Sequence, residues 1–146
     1  MAINIESSAT YDPIAQTFVI NKNYYPNGII LNRIRLCFAT KDDTLPVTLQ
    51  IRPTVNGYPS ADTVYPYASV TLTPDKINCV GEEGIPNIKN PNKYTDFVLD
   101  MPLFLNPGIH CFVLITNSNN YQTFYGQVGA TSLDGGTQIP PLTDYG

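Results

Sequence analysis

The sequence predicts an all-β protein: an antiparallel β-sandwich, jelly-roll-like, with about seven or eight strands and flexible termini. The composition supports this fold class, because ten Tyr, six Phe and thirteen Pro stand beside only 14% charged residues, which is typical of short strands joined by turns. Several short segments also alternate apolar and polar residues with a period of two. No segment sustains the apolar spacing of a helix over the ten or so residues that a helix needs. An up-and-down barrel is the second choice.

Three strands are predicted in the first half of the chain, at residues 14–20, 29–40 and 47–55. In the third strand Val47, Leu49 and Ile51 are expected to face inward, because every second residue of a strand lies on the same face. In the second strand Arg33 and Arg35 are expected to share the outward face. The inward face of that strand is predicted to consist of the even-numbered apolar residues Ile30, Ile34, Leu36 and Phe38.

An aromatic segment follows the third strand. It begins after Asn56-Gly57, a pair that tolerates positive φ at both positions and therefore predicts a tight turn. Prolines within residues 58–67 make this segment an extended loop or an edge. A short strand is predicted next at residues 68–73, and a further proline ends it.

The second half of the chain begins with a weak pattern. Residues 75–94 are rich in Gly, Pro and Asn, which predicts a long loop with at most one brief strand near residues 77–80. Alternation then returns, and Asn106-Pro107-Gly108 predicts a type II turn at which the chain reverses. The last three predicted strands are residues 95–105, 109–116 and 122–128.

These patterns divide the chain into one domain with an arm at each end. Residues 1–10 are expected to form an N-terminal arm, residues 11–129 the β-sandwich domain, and residues 130–146 a C-terminal arm or linker that orders against a partner. Residues 1–20 lack a basic start and an apolar run, so synthesis in the cytoplasm without a signal peptide is expected. No apolar stretch approaches the length of a membrane span, so no membrane partner is expected.

Few residues suggest chemistry, and no catalytic, cofactor or metal site is predicted. His110, the only histidine, lies in the most apolar predicted strand, where a hydrogen-bonded core imidazole is expected. Asp42 and Asp43 could offer oxygen ligands to calcium, but without EF-hand spacing they indicate a solvated turn in which Asp caps backbone amides. The three cysteines are odd in number and lack CxxC spacing, so reduced thiols are expected.

The charge and the tyrosines narrow the classes of partner. A formal net charge of -4 gives no electrostatic reason to expect nucleic acid. Tyrosine is favoured in protein interfaces, and it also stacks on sugar rings in lectin-type jelly rolls. Other proteins, including copies of this chain, and glycans are therefore the possible partners. The candidate contact residues are Tyr58, Tyr65 and Tyr67 in the aromatic segment, and Tyr24 and Tyr25 in the loop before the second strand.

Three segments of the sequence resemble a known family. They are YDPIAQTFVI at 11–20, ATKDDTLPVTLQIRPTVNGYPS at 39–60 and FVLDMPLFLNPGIHCFVLITNS at 97–118. In this order they are similar to a domain of virion structural proteins of T-even-like contractile-tailed phages, especially those that infect cyanobacteria, where it belongs to baseplate wedge subunits. The resemblance spans roughly residues 11–128.

The resemblance implies a non-enzymatic structural protein of a phage tail or baseplate, with no cofactor and no catalytic residues. It also implies that the partners are other virion proteins and that the protein is located in the virion. In that family the domain usually lies within a much longer chain, so 146 residues fit either a fragment or a small stand-alone homologue. A carbohydrate-binding jelly-roll module that recognises host glycans is the alternative function.

Overall fold

The computed structural model describes residues 2–5 and 13–125 of the chain. The predicted C-terminal arm at 130–146 and the end of the strand predicted at 122–128 lie outside the described residues. The described part is nearly all β, with one short 3-10 helix at Pro74–Lys76. Its ten strands are β1 (Ala2–Ile5), β2 (Ile14–Ile20), β3 (Ile29–Leu36), β4 (Phe38–Thr40), β5 (Val47–Val55), β6 (Tyr58–Pro59), β7 (Ser69–Leu72), β8 (Thr95–Leu105), β9 (Gly108–Thr116) and β10 (Tyr121–Phe124).

The strands form two antiparallel layers. Strand β4 continues β3 after a one-residue break at Cys37, so that β1, β10, β3–β4 and β8 make up the first layer. The second layer has the order β2, β9, β5, β7, and the two-residue β6 pairs with the end of β5. In sequence order the pairs are nested: β1 with β10, β2 with β9, β3 with β8 and β5 with β7. Nested pairing of this kind is the topology of a jelly roll, and the predicted fold class is confirmed.

The hydrophobic core lies between the two layers. In the second layer Leu49 of β5 pairs with Leu114 of β9, and both side chains are fully buried. Phe38 of β4 and Phe97 of β8 come from the first layer and join the same cluster, with ring centroids 6.2 Å apart. Close packing of apolar side chains is the main favourable term in the stability of such a domain. The buried members of the cluster are Phe38, Val47, Leu49, Ile51, Ala68, Ile77, Phe97, Leu99, Leu114 and Tyr121.

Most predicted strands agree with the structure. Strands β2, β5 and β8 have the predicted bounds, and β7 and β9 differ from the prediction by at most one residue at an end. Asn56 and Gly57 have φ angles of 52° and 82° and form the predicted tight turn between β5 and β6. Gly108 begins β9 with a φ of 143°, and the chain passes there from the first layer to the second.

The predicted inward face of β3 is wrong at Ile30, which is 66% exposed. A β-bulge lies between Leu31 and Arg33, since Leu31 pairs with Leu103 of β8 whereas Arg33 pairs with Val98. Between these two pairs β3 has one residue and β8 has four, so β8 carries three extra residues. An odd number of extra residues moves the side chains on one side of the bulge to the opposite face of the sheet. Leu31 therefore packs against the core, and Ile30 faces outward.

The segment predicted as an N-terminal arm contains a strand. Residues 2–5 form β1, which pairs with β10 at the edge of the first layer. The loop at residues 75–94 is largely irregular, as predicted, and its brief strand contact is an isolated bridge between Cys79 and Phe38. The strand pattern thus holds at the centre of the sandwich, and the differences lie at its borders.

Candidate interaction surfaces

The predicted contact tyrosines fall into two groups in the structure. Tyr24 and Tyr25, in the loop between β2 and β3, are more than half exposed, as are Tyr58 in β6 and Tyr67 in the loop before β7. Tyr65 is instead half-buried and packs against the core cluster. The structure therefore separates Tyr65 from the four tyrosines that a partner could reach.

Tyr65 is held in place by His110. The Tyr65 hydroxyl and His110 Nδ1 lie 2.8 Å apart, and His110 Nε2 donates a hydrogen bond to the carbonyl of Asn106, also at 2.8 Å. A carbonyl can only accept, so Nε2 carries a hydrogen, and in that tautomer of the imidazole Nδ1 accepts from the tyrosine hydroxyl. Burial raises the pKa of the Tyr65 phenol, which keeps this donor protonated. His110 is thus the buried, hydrogen-bonded imidazole that its strand predicts.

Tyr67 combines an exposed ring with an unusual backbone. Its φ of 57° lies in the left-handed region, which costs an L-residue roughly 1–2 kcal/mol. Gly adopts this region at no steric cost, and Asn does so more readily than bulky residues. The backbone turn around it is fixed by a hydrogen bond from the Ala68 N–H to the Tyr65 carbonyl at 3.1 Å. Because the ring is exposed, packing within the described residues does not account for a tyrosine here.

The outer face of β3 and β8 carries an apolar stripe, which we define as Ile30, Val98 and Phe104. Each of these side chains is more than half exposed. Ile30 and Phe104 are direct cross-strand partners, and Val98 pairs with Arg33 further along the same strands. Met101 is also exposed, but it belongs to the part of β8 that stands opposite the β3 bulge and has no cross-strand partner there. Single exposed apolar residues are ordinary, but three on one face are typical of a contact surface.

A charged cluster of Arg33, Arg35 and Asp96 adjoins the apolar stripe. Arg35 binds Asp96 through two bonds, from Nε to Oδ1 at 2.7 Å and from Nη2 to Oδ2 at 3.0 Å. Arg33 adds one bond, from Nη1 to Oδ2 at 3.0 Å. Hydrogen bonds from Arg35, above all, hold the pKa of the Asp96 carboxyl below its usual range. The prediction that Arg33 and Arg35 share the outward face is confirmed.

Arg35 also fixes the loop at residues 75–94. Its guanidinium stacks over the ring of Tyr94, 3.6 Å from the centroid, and its Nη1 donates to the carbonyl of Ile88 at 2.8 Å. A planar guanidinium can make paired bonds and stack at the same time, and an ammonium group cannot. Arg35 therefore connects an irregular loop to the regular sheet.

Arg35→Lys is expected to loosen this loop. Lysine keeps the positive charge but loses the paired bonds to Asp96 and the stacking on Tyr94, so the loop opens more often. Amide hydrogen exchange at residues 85–94, followed by mass spectrometry, should become at least about tenfold faster. Arg33→Lys is the matched control, because Arg33 makes a single bond to Asp96. Equal acceleration in both variants would contradict the role assigned to Arg35.

Asp42 caps the backbone of its turn as predicted, but it is buried and not solvated. Its Oδ1 accepts hydrogen bonds from the N–H groups of Thr44 and Leu45, both at 2.7 Å. Its Oδ2 accepts from the Ser118 hydroxyl at 2.5 Å and from the Asn120 side-chain amide at 2.8 Å. These donors, the Leu45 N–H foremost, hold the pKa of the Asp42 carboxyl well below its usual range. Asp42 thus joins the loop before β5 to the loop before β10.

The three cysteines are free thiols. Cys37 and Cys111 are buried and Cys79 is half-buried, and burial raises the pKa of each thiol. A protonated thiol is a poor nucleophile and a poor metal ligand.

Across residues 2–5 and 13–125, no group of three or more His, Cys, Asp or Glu side chains is placed to hold a metal ion. In that same part of the chain, no helix is long and apolar enough to cross a membrane.

Comparisons of the chain with known protein families, with curated proteins and with solved structures found no match. The features that bear on function are therefore those of the molecule itself: the apolar stripe with its charged cluster, and the exposed tyrosines. Tyr58 and Tyr67 lie away from the stripe, since the stripe belongs to the first layer. Tyr58 instead follows β5 of the second layer.

Proposed function

We propose that this chain is a non-enzymatic structural domain that acts through protein–protein interfaces, as a subunit or domain of a phage tail or baseplate. The observation that carries the interface role is the apolar stripe on β3 and β8. Covering such a surface is favourable by roughly 25 cal/mol for each Å² of apolar area removed from water. The exposed tyrosines add side chains that are enriched in interfaces.

The structural use of the reactive side chains supports a non-enzymatic role. Both ring nitrogens of His110 are engaged in hydrogen bonds within the domain. The oxygens of Asp42 accept bonds from its own and neighbouring loops, and burial keeps the thiols protonated. A general base or nucleophile needs an accessible lone pair near a substrate, and these groups direct theirs into the fold.

The assignment to a phage tail or baseplate is supported by the three segments that resemble virion structural proteins. The segment at 39–60 spans β5 with the tight turn after it, and the segment at 97–118 spans most of β8 and β9. These are scaffold elements of the jelly roll. On this proposal the partners are other virion proteins, and the domain is located in the virion.

Assembly of the purified protein tests the proposal. Sedimentation velocity and isothermal titration calorimetry would follow its binding to the tail proteins encoded by neighbouring genes. We expect a complex that the double substitution Ile30→Ser and Phe104→Ser weakens at least about tenfold. Val55→Ser is the matched control, because it removes an exposed apolar side chain at the β5–β6 hairpin. A protein that stays monomeric and binds none of these partners at high micromolar concentration contradicts the proposal.

Glycan recognition is the second candidate, and the exposed, strained Tyr67 favours it. An aromatic ring held outward on a fixed turn can stack on a sugar, and Tyr58 offers another exposed ring. A glycan array would compare the wild-type protein with Tyr67→Ala and Tyr58→Ala. Binding that both variants lose would favour this candidate over a purely structural role, and an array without signal would remove it.

A further inference from the structure

Two turns of the chain contain the dipeptide Asn-Gly, at Asn27-Gly28 between β2 and β3 and at Asn56-Gly57 between β5 and β6. Asparagine is a thermolabile residue. In an Asn-Gly pair the backbone nitrogen of the glycine can attack the side-chain amide carbon of the asparagine, because glycine has no Cβ to hinder the approach. In a folded protein the surroundings of each pair control how often these two atoms meet.

The Asn56-Gly57 pair is accessible. Both residues are exposed, and a Cβ added to Gly57 would meet no atom within 4 Å. Within the described part of the chain, the Gly57 N–H donates no hydrogen bond and the Asn56 side chain has no hydrogen-bond partner. The left-handed φ of Asn56 must relax before the two atoms meet. That opening is local, because β6 has only two residues and one of them is a proline without an N–H.

The Asn27-Gly28 pair is held by its surroundings. The Gly28 N–H donates a hydrogen bond to the carbonyl of Tyr25 at 3.0 Å. A Cβ added to Gly28 would lie 2.3 Å from the carbonyl oxygen of Leu105 and 3.0 Å from the ring of Phe104, so this backbone packs against the end of β8. Attack by the Gly28 nitrogen requires this hydrogen bond to break and the start of β3 to separate from β8. An opening of that extent has a higher free energy than the opening of a hairpin tip.

We propose that Asn56 is a site of spontaneous deamidation and that the fold protects Asn27 from the same reaction. The Gly57 nitrogen loses its proton to the solvent and bonds to the side-chain amide carbon of Asn56. The bond from that carbon to Nδ2 breaks, and ammonia leaves with a proton taken up from water, so that a cyclic succinimide remains. A second water molecule opens the ring at either carbonyl carbon and leaves an aspartyl or an isoaspartyl residue at position 56. The net reaction consumes water and releases ammonia without oxidation or reduction.

The isoaspartyl product changes the hairpin. Its main chain runs through the former side chain, so a methylene is inserted into a two-residue turn that needs left-handed φ angles at both positions. The pairing of Val55 with Tyr58 depends on that turn. The reaction therefore displaces an exposed tyrosine and adds a negative charge beside it. Because it involves no partner, it goes beyond the proposed function and can be tested separately from it.

Timed incubation of the wild-type chain in mildly alkaline buffer, followed by peptide mapping with mass spectrometry, tests this proposal. One series is kept folded, and the other is unfolded in concentrated guanidinium chloride. In the unfolded series the two Asn-Gly pairs should deamidate at similar rates, because neither is protected. In the folded series Asn56 should deamidate at least about tenfold faster than Asn27. Methylation by an isoaspartyl methyltransferase identifies the isoaspartyl product.

Gly57→Ala is the matched variant, because its Cβ hinders the attacking nitrogen. It should slow the reaction at position 56 in both series and leave the reaction at Asn27 unchanged, and circular dichroism checks that it is folded. Equal rates at Asn27 and Asn56 in the folded protein overturn the proposal. So does an Asn56 that stays intact in the folded protein while it reacts in guanidinium chloride. A Gly57→Ala variant that deamidates at position 56 as fast as the wild-type protein also overturns it, since the reaction would then not pass through the Gly57 nitrogen.

Discussion

Gly28→Ala is expected to lower the free energy of unfolding by about 3 kcal/mol. Gly28 has a φ of 78°, in the left-handed region that an L-residue adopts at a cost. A Cβ at this position would also lie 2.3 Å from the carbonyl oxygen of Leu105 and 3.0 Å from the ring of Phe104. The Leu105 backbone cannot retreat freely, because Leu105 pairs with Ile29 at the start of β3. Steric overlap is therefore added to the conformational cost.

Gly57→Ala separates these two contributions. Gly57 has a similar φ of 82°, but a Cβ there would meet no atom within 4 Å. Its substitution is expected to cost about 1 kcal/mol, the conformational part alone. Equilibrium denaturation in urea measures both variants, and the difference between them reports the overlap with Leu105. Equal losses in the two variants would show that the close approach at Gly28 is relieved without cost.

The strands that are easiest to predict are those whose two faces meet different surroundings. In β5 the fully buried Val47, Leu49 and Ile51 alternate with the half-buried Thr48 and Gln50. Such alternation is visible in the sequence, because burial selects apolar side chains on one face only. The tight turn after β5 is equally local, since the required positive φ angles select Asn and Gly.

The prediction fails where pairing between distant strands decides the outcome. Ile30 is apolar and in phase with Phe38, so a period of two places both inward. The β3 bulge breaks this phase at the point where one residue of β3 stands opposite residues 99–102 of β8. Strand β1 likewise exists through its pairing with β10, more than a hundred residues later. A local pattern contains neither piece of information.

The residues of the candidate surfaces also differ in whether a local sequence pattern predicts their placement. Phe97 and Leu99 face inward, so the apolar Val98 between them must face outward, and this signal was present in the sequence. The sequence contains no such signal for the role of Tyr65, because its ring is positioned by His110, 45 residues away. The burial of Asp42 also depends on distant residues, since its partner Ser118 is 76 residues later in the chain.

Asp42→Ala is expected to lower the melting temperature by about 10 °C or more at neutral pH. The substitution removes the acceptor of the Leu45 N–H, the Ser118 hydroxyl and the Asn120 amide, and donors left unpaired in a buried site are costly. Asp43→Ala is the matched control, because Asp43 is the next residue and is exposed. It should change the melting temperature by no more than about 2 °C. Differential scanning calorimetry measures both, and similar losses would contradict the role of Asp42.

The pH dependence of the same variants tests the charge on Asp42. Its folded pKa lies below the value of about 3.9 for an unfolded Asp. The ionised carboxylate therefore stabilises the fold fully above that unfolded value, and this stabilisation is lost as the pH falls towards the folded pKa. The difference in melting temperature between the wild-type protein and Asp42→Ala should narrow between about pH 4 and pH 2. Asp96, whose pKa is also lowered, is present in both proteins and cancels from the difference. A difference that stays constant into acid would show that Asp42 acts through its shape and not through its charge.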